Sequence, residues 1–537
     1  MKQIFSILML LIFGLANSQD LVYIKFADKP SADTYFLNPT LMLSQKALDR
    51  RIKYDISLDI RDIPVEPIYV SQVEDLGIEP IAVSKWFNGV FAWCTDEQVS
   101  QVEALPFVSG VESFVRNTGK ISSGKIQQNK FVETMEEVGQ LNGLMDFEYG
   151  FTFNQVTQLN LDYLHNLGFT GAGISIAVLD NGFVGVDNID GFSYIRNNGQ
   201  IKGGYNFVAN NENFYAGGGH GTAVLSTIGG YVEEAFVGTA IDADFYLFIT
   251  EDNSHELPDE EVHWISAAER ADSIGIDVIN TSLGYANFDD SRYNYTYEDM
   301  DGNTTYISRA ANIAGEKGIM VLVSAGNSGA NEWHYITAPA DAENILTIGA
   351  VDENGNPAYF SSFGPAADGR IKPDVDAMGW GATVISTNGT ISYSSGTSFS
   401  SPIMAGAMAC LILAFPNTHP AELRQSVRAS ANLFNNPTDQ MGYGIPDFGA
   451  VYDALMSTHE VIKESFISVF PNPTNDILNI KADKNIEKIQ LFNMEGKMMR
   501  QLENQNQLNL SGLPQGTYFL KILLENRQTV IKKVIKK

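Results

Sequence analysis

Ile174–Asp180, ISIAVLD, is an unbroken apolar run that ends on a carboxylate and passes at once into Asn181 and Gly182. A short run of this kind, bounded by turn residues, reads as a strand buried on both faces, which belongs in a parallel sheet covered by helices. The pattern returns in ADFYLFIT (243–250), IDVINTSLG (276–284), GIMVLVSAGN (318–327) and ILTIGAV (345–351). Between these runs, EVHWISAAERADSIG (261–275) and ISRAANIAGEKG (307–318) supply the helical crossovers that parallel strands require. The fold class from about Asn154 to Met456 is therefore α/β, a parallel sheet with helices on both faces. Ligands of open sheets bind outside the carboxyl ends of the strands, so Asp180, Ser282 and Asn327 stand where chemistry is expected.

The chain has 537 residues, too many for one hydrophobic core, and its flanks read differently from this centre. Lys2, the apolar run Ile4–Ala16 and the small residues Ala16 and Ser18 form a signal-peptide pattern over 1–18, which predicts export. The run is too short to span a bilayer and no comparable stretch is expected later, so no transmembrane anchor is expected. Residues 19–115 alternate short strands, LVYIKF and KWFNGVFAW, with helices, one opening on a Thr95–Gln98 capping box before Val99, Val102 and Leu105. Polar, aperiodic sequence over 116–148 reads as an exposed connector. A second short linker, 457–464, precedes an all-β sandwich over 465–537, with strands separated by Pro, Gly and Asn turns.

The net charge of −29 leaves no basic footprint for a nucleic acid. From Ser465 onward the chain holds 11 Lys and Arg against 6 Asp and Glu, a net +5 that sets this module apart from the −34 of the rest. Two cysteines, Cys94 and Cys410, cannot build a disulfide framework and are not expected to meet.

Three segments carry the parts of a hydroxyl-based acyl transfer: a nucleophile, a base, and a group that orients the base. Asp180 closes its strand. His220 follows three glycines in GGGHGTAVLSTIGG, before a helix of small residues. Ser398 lies in SSGTSFSSPIMAGAMACLILAF at the start of an apolar helix, where free amides and the dipole favour an anionic intermediate. Pro402 cannot donate to the Ser398 carbonyl, which loosens the first turn. Asn327, between Gly326 and Gly329, offers an amide to an oxyanion hole shared with the Ser398 N–H. Taken singly, each residue also fits a structural role: a helix cap for the serine, a turn for the asparagine.

In this order Asp, His and Ser resemble the subtilases, the subtilisin-like serine peptidases. The resemblance runs from about Tyr149 to Met456, through HGT at His220 and GTS at Ser398, and departs from the family pattern at Asn181, Phe399 and Ser400. It implies a subtilisin-like fold, Asp180, His220 and Ser398 as catalytic residues, Asn327 as the oxyanion donor, and a substrate pocket walled by Ser282, Leu283, Gly284 and Ser324, Ala325, Gly326. With no acid apparent at the base of that pocket, apolar or aromatic residues are the expected preference before the cut. The N-terminal α+β unit resembles a subtilase propeptide, a partner that blocks the cleft until cleavage between about 115 and 148. FPNPTND, LFNMEGK and GLPQGTYFLKI resemble the sorting domain of the type IX secretion system of Bacteroidetes, which implies the secretion machinery as a further partner and a secreted or surface-attached product. A catalytically silent display protein and a transamidase of the same family are the alternatives. No cofactor is required for such chemistry, although Asp289, Asp290, Asp299, Asp301 and Asn303 could offer oxygen ligands to calcium from a loop that is more simply a solvated surface.

Overall fold

The computed structural model of the chain describes residues 19–116, 148–461, 467–482, 484–494, 497–525 and 529–537. The signal-peptide stretch and nearly all of the connector that would hold the maturation cut lie outside the described residues. The chain divides into two units between Tyr452 and Asp453.

The first unit opens with four antiparallel strands, β1 (Asp20–Phe26), β2 (Pro80–Ser84), β3 (Gly89–Cys94) and β4 (Val108–Ser113), in the order β2-β3-β1-β4. LVYIKF is a strand as its composition requires, but KWFNGVFAW is one only from Gly89. Lys85–Asn88 turns the chain instead, with the Ser84 hydroxyl accepting from Phe87 N at 3.1 Å and Asn88 at a φ of 59°. The capping box is present: Thr95 Oγ1 accepts from Gln98 N at 3.2 Å and Gln98 Oε1 from Thr95 N at 3.0 Å. Val102 behind it is fully buried.

Beyond the connector stands the parallel sheet. Its strands are β5 (Ser175–Asp180), β6 (Ile201–Asn206), β9 (Asp244–Ile249), β10 (Val278–Thr281), β11 (Met320–Ser324), β12 (Leu346–Val351) and β13 (Val375–Met378), with a small hairpin of β7 (Tyr231–Val232) and β8 (Phe236–Val237) between the second and third. All seven run parallel in the order β13-β12-β11-β10-β5-β9-β6. The chain lays β6 and β9 on one side of β5 and then crosses to add β10 on the other, so the winding reverses at β5, where a cleft opens. Helices Asp259–Ile274 and Tyr306–Glu316 pack with the N-terminal sheet in one apolar cluster that includes Trp264, Tyr306, Phe91 and Phe114. Helices His220–Gly229 and Thr397–Ala414 pack on each other and on the sheet. The latter is long and apolar enough to cross a membrane, contrary to the expectation of no second such stretch, and 89% of it is buried inside the protein. Its composition serves a core.

Charge also holds the N-terminal unit to the sheet's helices. Asp272 is fully buried between Arg50, at 2.6 Å, and Arg51, at 2.8 Å. Burial opposes ionisation of Asp272, but Lys85, Arg50 and Arg51 outweigh it and hold the carboxyl well below the usual range. Arg50 Nε also donates to Lys317 O at 3.2 Å, and its guanidinium reaches the carbonyls of Ile276 and Asp272. Glu269, on the same helix, accepts from the Ser84 hydroxyl and from the backbone N–H groups of Lys85 and Trp86. The cysteines are apart: Cys94 ends β3, Cys410 lies in the Thr397–Ala414 helix, and both are buried thiols.

The second unit carries a three-stranded sheet, with Ile477–Ala482 between Ile467–Phe470 and Gln507–Asn509, and a four-stranded antiparallel sheet centred on Ile486–Phe492 and Gly516–Leu524. Alternate residues, among them Leu478, Ile489, Leu491, Leu520 and Ile522, are its buried core.

Candidate active site

Glycine brings the Asp180 and His220 segments together. A side chain on Gly221 would stand 2.5 Å from Gly182 O, and one on Gly217, at a φ of 79°, would stand 2.3 Å from Asn181 O. Only bare backbone fits between the end of β5 and the loop before the helix. His220 Nδ1 then lies 2.8 Å from Asp180 Oδ1, and Asn181 N donates to the same oxygen at 2.8 Å. The two side chains are 6% and 0% exposed. Since a carboxylate only accepts, Nδ1 carries the proton and Nε2 is the basic nitrogen of the ring.

Ser398 is the second residue of the Thr397–Ala414 helix and lines the same cleft as His220. Its hydroxyl donates to Ser282 O at 3.3 Å. The carbonyl that Pro402 leaves without its helical donor is taken by Ser282 Oγ, at 2.8 Å. Asn280 Nδ2 donates to Ser282 Oγ at 3.1 Å, and Ser401 Oγ to Asn280 Oδ1 at 2.9 Å. A chain of side-chain bonds from β10 thus replaces the missing helical bond and fixes the helix start against the sheet.

Asn327 follows β11 by three residues. Thr397 N donates to its Oδ1 at 2.9 Å and Thr397 Oγ1 at 3.0 Å. A backbone N–H can only donate, so the oxygen is the end tied to the helix and the amide Nδ2 is the end left to the cleft. That nitrogen would lie 3.4 Å from any side chain carried by Gly396.

Of the expected pocket wall, Ser282, Leu283, Gly284, Ser324 and Gly326 line the cleft. Ala325 does not: it is fully buried and its N–H donates to Ile348 O at 2.9 Å, turned into the sheet by the strand's alternation. The cleft also holds an acid that the sequence reading passed over, Glu251, two residues beyond β9. Its signal was the same as that of Asp180, a carboxylate just past a buried strand. Among the departures from the family pattern, Asn181 donates to Asn253 Oδ1 at 2.9 Å, Phe399 places its ring 5.8 Å from that of His220, and Ser400 bonds Thr397 O at 3.1 Å.

The acidic loop beyond β10 has local uses. Asp289 accepts from Glu256 N at 3.1 Å, Asp290 pairs with Arg292 at 2.7 Å, Asp299 accepts from Thr296 N at 2.7 Å, and Asp301 from Asn303 N at 2.8 Å. Among the described residues, no three His, Cys, Asp or Glu side chains converge to hold a metal.

A parallel sheet wound outward from a cleft of this make-up defines a serine-type endopeptidase, and comparison with known proteins supplies its family. Residues 171–444 match the Subtilase family, peptidase S8, over just over half of the chain, and the chain belongs to that family. Residues 21–133 match the peptidase S8 propeptide domain of Bacteroidota, and 468–537 a secretion system C-terminal sorting domain. Similar proteins include subtilisin DY of Bacillus licheniformis, 28% identical over 53% of this chain and 92% of its own length. The thermostable alkaline protease of Halalkalibacterium halodurans is 26% identical over 58% of this chain and 76% of its own. Among solved structures, the MycP3 protease of the type VII (ESX-3) secretion system aligns at 20% identity over 56% of this chain and 87% of that one, with a TM-score of 0.45.

Proposed function

We propose that the protein is an exported endopeptidase that hydrolyses protein substrates through Ser398, His220 and Asp180, with Asn327 and the Ser398 N–H as oxyanion donors. The observation that carries this reading is the buried 2.8 Å contact of His220 Nδ1 with Asp180 Oδ1, in a cleft shared with Ser398 at a helix start. His220 Nε2 takes the proton of Ser398 Oγ as that oxygen attacks the scissile carbonyl. Asp180 holds the ring and balances the imidazolium that forms. Negative charge develops on the carbonyl oxygen, to which Asn327 Nδ2 and the Ser398 N–H donate. His220 returns the proton to the leaving amine, and water repeats the sequence on the acyl-enzyme.

Residues 1–18 act as the signal peptide, and 19–115 as an inhibitory propeptide removed by cleavage within 116–148. The catalytic body is 149–456, and 465–537 addresses the chain to the type IX machinery for release or surface attachment. The test compares casein hydrolysis and propeptide processing in the wild type and Ser398→Ala. Loss of both by roughly 10⁴ to 10⁶ in rate is expected; normal maturation and digestion by the variant overturns the reading.

A further inference from the structure

We propose that Glu251 makes the cleft selective for substrates with a Lys or Arg side chain at a position flanking the scissile residue rather than at that residue itself. The proposal rests on the peptidase reading given above and adds a charge rule to it.

Position comes first. β9 and β10 lie on opposite sides of β5. The Ser282–Gly284 and Ser324–Gly326 walls follow β10 and β11, whereas Glu251 follows β9. The backbone that carries the acid therefore lies across the catalytic strand from the walls of the pocket for the scissile residue. Glu251 is the one carboxylate among the described residues that line this cleft, and neither Lys nor Arg lines it.

Its setting holds the side chain in place. Glu251 is only 3% exposed, and the fully enclosed Tyr285, which directly follows the Gly284 wall, donates its hydroxyl to Glu251 Oε1. Burial pushes the Tyr285 hydroxyl far above its usual range, and Glu251, Glu260 and Glu256 push it further, so it stays a donor. Glu260 is itself fully buried and accepts from Asp252 N at 2.8 Å. A substrate side chain reaching Glu251 meets acids gathered together and largely taken out of water, where one positive charge is favoured and a further negative one is disfavoured. The exposed acids elsewhere on the surface are screened and discriminate far less.

The test uses self-processed enzyme and peptides with Phe at the scissile residue, carrying Lys, Arg, norleucine or Glu at each of three positions before it and two after. At one flanking position, kcat/KM for Lys or Arg is expected to exceed norleucine by about tenfold, with Glu the poorest. In Glu251→Gln, which keeps an acceptor for Tyr285, the ratio within the one enzyme should fall to about threefold or less. Tyr285→Phe keeps the carboxylate and should keep the preference. A wild-type ratio near one at every flanking position, a cation preference confined to the scissile residue, or an unchanged ratio in Glu251→Gln each overturns the assignment. These wild-type arms stand even if the variant does not fold. Failure to cut any peptide overturns the peptidase reading along with it, whereas cutting without charge preference overturns this inference alone.

Discussion

Asn327 has its side-chain oxygen committed to Thr397 through two bonds, so its amide is oriented before any substrate arrives. Donors held in this way act on the transition state more than on the bound substrate. Asn327→Leu should therefore lower kcat about 10² to 10³-fold with little change in KM, measured on a peptide substrate. A second residue sets a pH dependence of stability. Glu261 is buried on the Asp259–Ile274 helix; burial pushes its carboxyl up to about 7, against the opposing pull of the Tyr295 hydroxyl, at 2.6 Å, and of the Arg116 charge. A carboxyl whose native pKa is raised binds its proton more tightly folded than unfolded. Its contribution is fully present below the ordinary Glu range and is lost as pH rises through about 7. In the inactive Ser398→Ala chain, Glu261→Gln should gain in melting temperature relative to its parent between pH 5 and pH 8, a gap on the order of 3 kcal/mol at most. A constant gap would show that Glu261 does not titrate there. Asp180, His220 and Ser398, to which the chemistry is assigned above as a proposal, stand out in the sequence because each sits at a strand end or helix start close to glycine. Asn280 does not, because what gives it meaning is Ser401, on a helix over a hundred residues away, and Glu251 carries the strand-end signal without the glycines that mark the others.

The elements were legible wherever one rule decided them. Five apolar runs became neighbouring parallel strands, and the Thr95–Gln98 spacing produced its capping box. KWFNGVFAW misled because Trp86 and Phe87 are apolar for a different reason: they are buried at a turn packed against the sheet's helices. Ala325 misled because the sheet's bonding runs one residue past Ser324, where Ala325 N still donates to Ile348 O and the side chain stays buried. The interface between the N-terminal unit and the Asp259–Ile274 helix could not be read at all, since Arg50, Arg51 and Lys85 look like ordinary surface charges until Asp272 is set between them. Breaking such a buried set from one side costs several kcal/mol, because the remaining charge keeps its desolvation without its partners. Residues 19–116 added in trans should therefore inhibit the mature enzyme, and Arg50→Ala with Arg51→Ala should weaken that inhibition by at least about 100-fold. Equal inhibition constants for the two would exclude the pair as an anchor.

On the scale of the molecule, the boundary between Tyr452 and Asp453 separates the unit that carries the catalytic cleft from one that carries an address. The charge shift from Ser465 onward announced that division, although not its place, since the Phe448–Val461 helix runs through it. Truncation after Val461 keeps every residue of the cleft and should leave peptide hydrolysis by processed enzyme within about twofold of the full chain. The same truncation should leave the enzyme inside a type IX-competent host, and fusing residues 465–537 to a periplasmic reporter should carry that reporter out. Retention of the fusion would separate this unit from export.

Asp272 stands two residues from the carboxyl end of its helix, where the peptide dipoles disfavour a negative charge, and the three cations that neutralise it, Arg50, Arg51 and Lys85, all belong to the region that matches a propeptide domain. The finished enzyme would thus keep a shape that was assembled around counter-ions it no longer possesses. Such a body would be held by the slowness of its unfolding rather than by the ease of its folding, and once lost it should not reassemble unaided. Each molecule would be built once, with its own mould, and used until it fails.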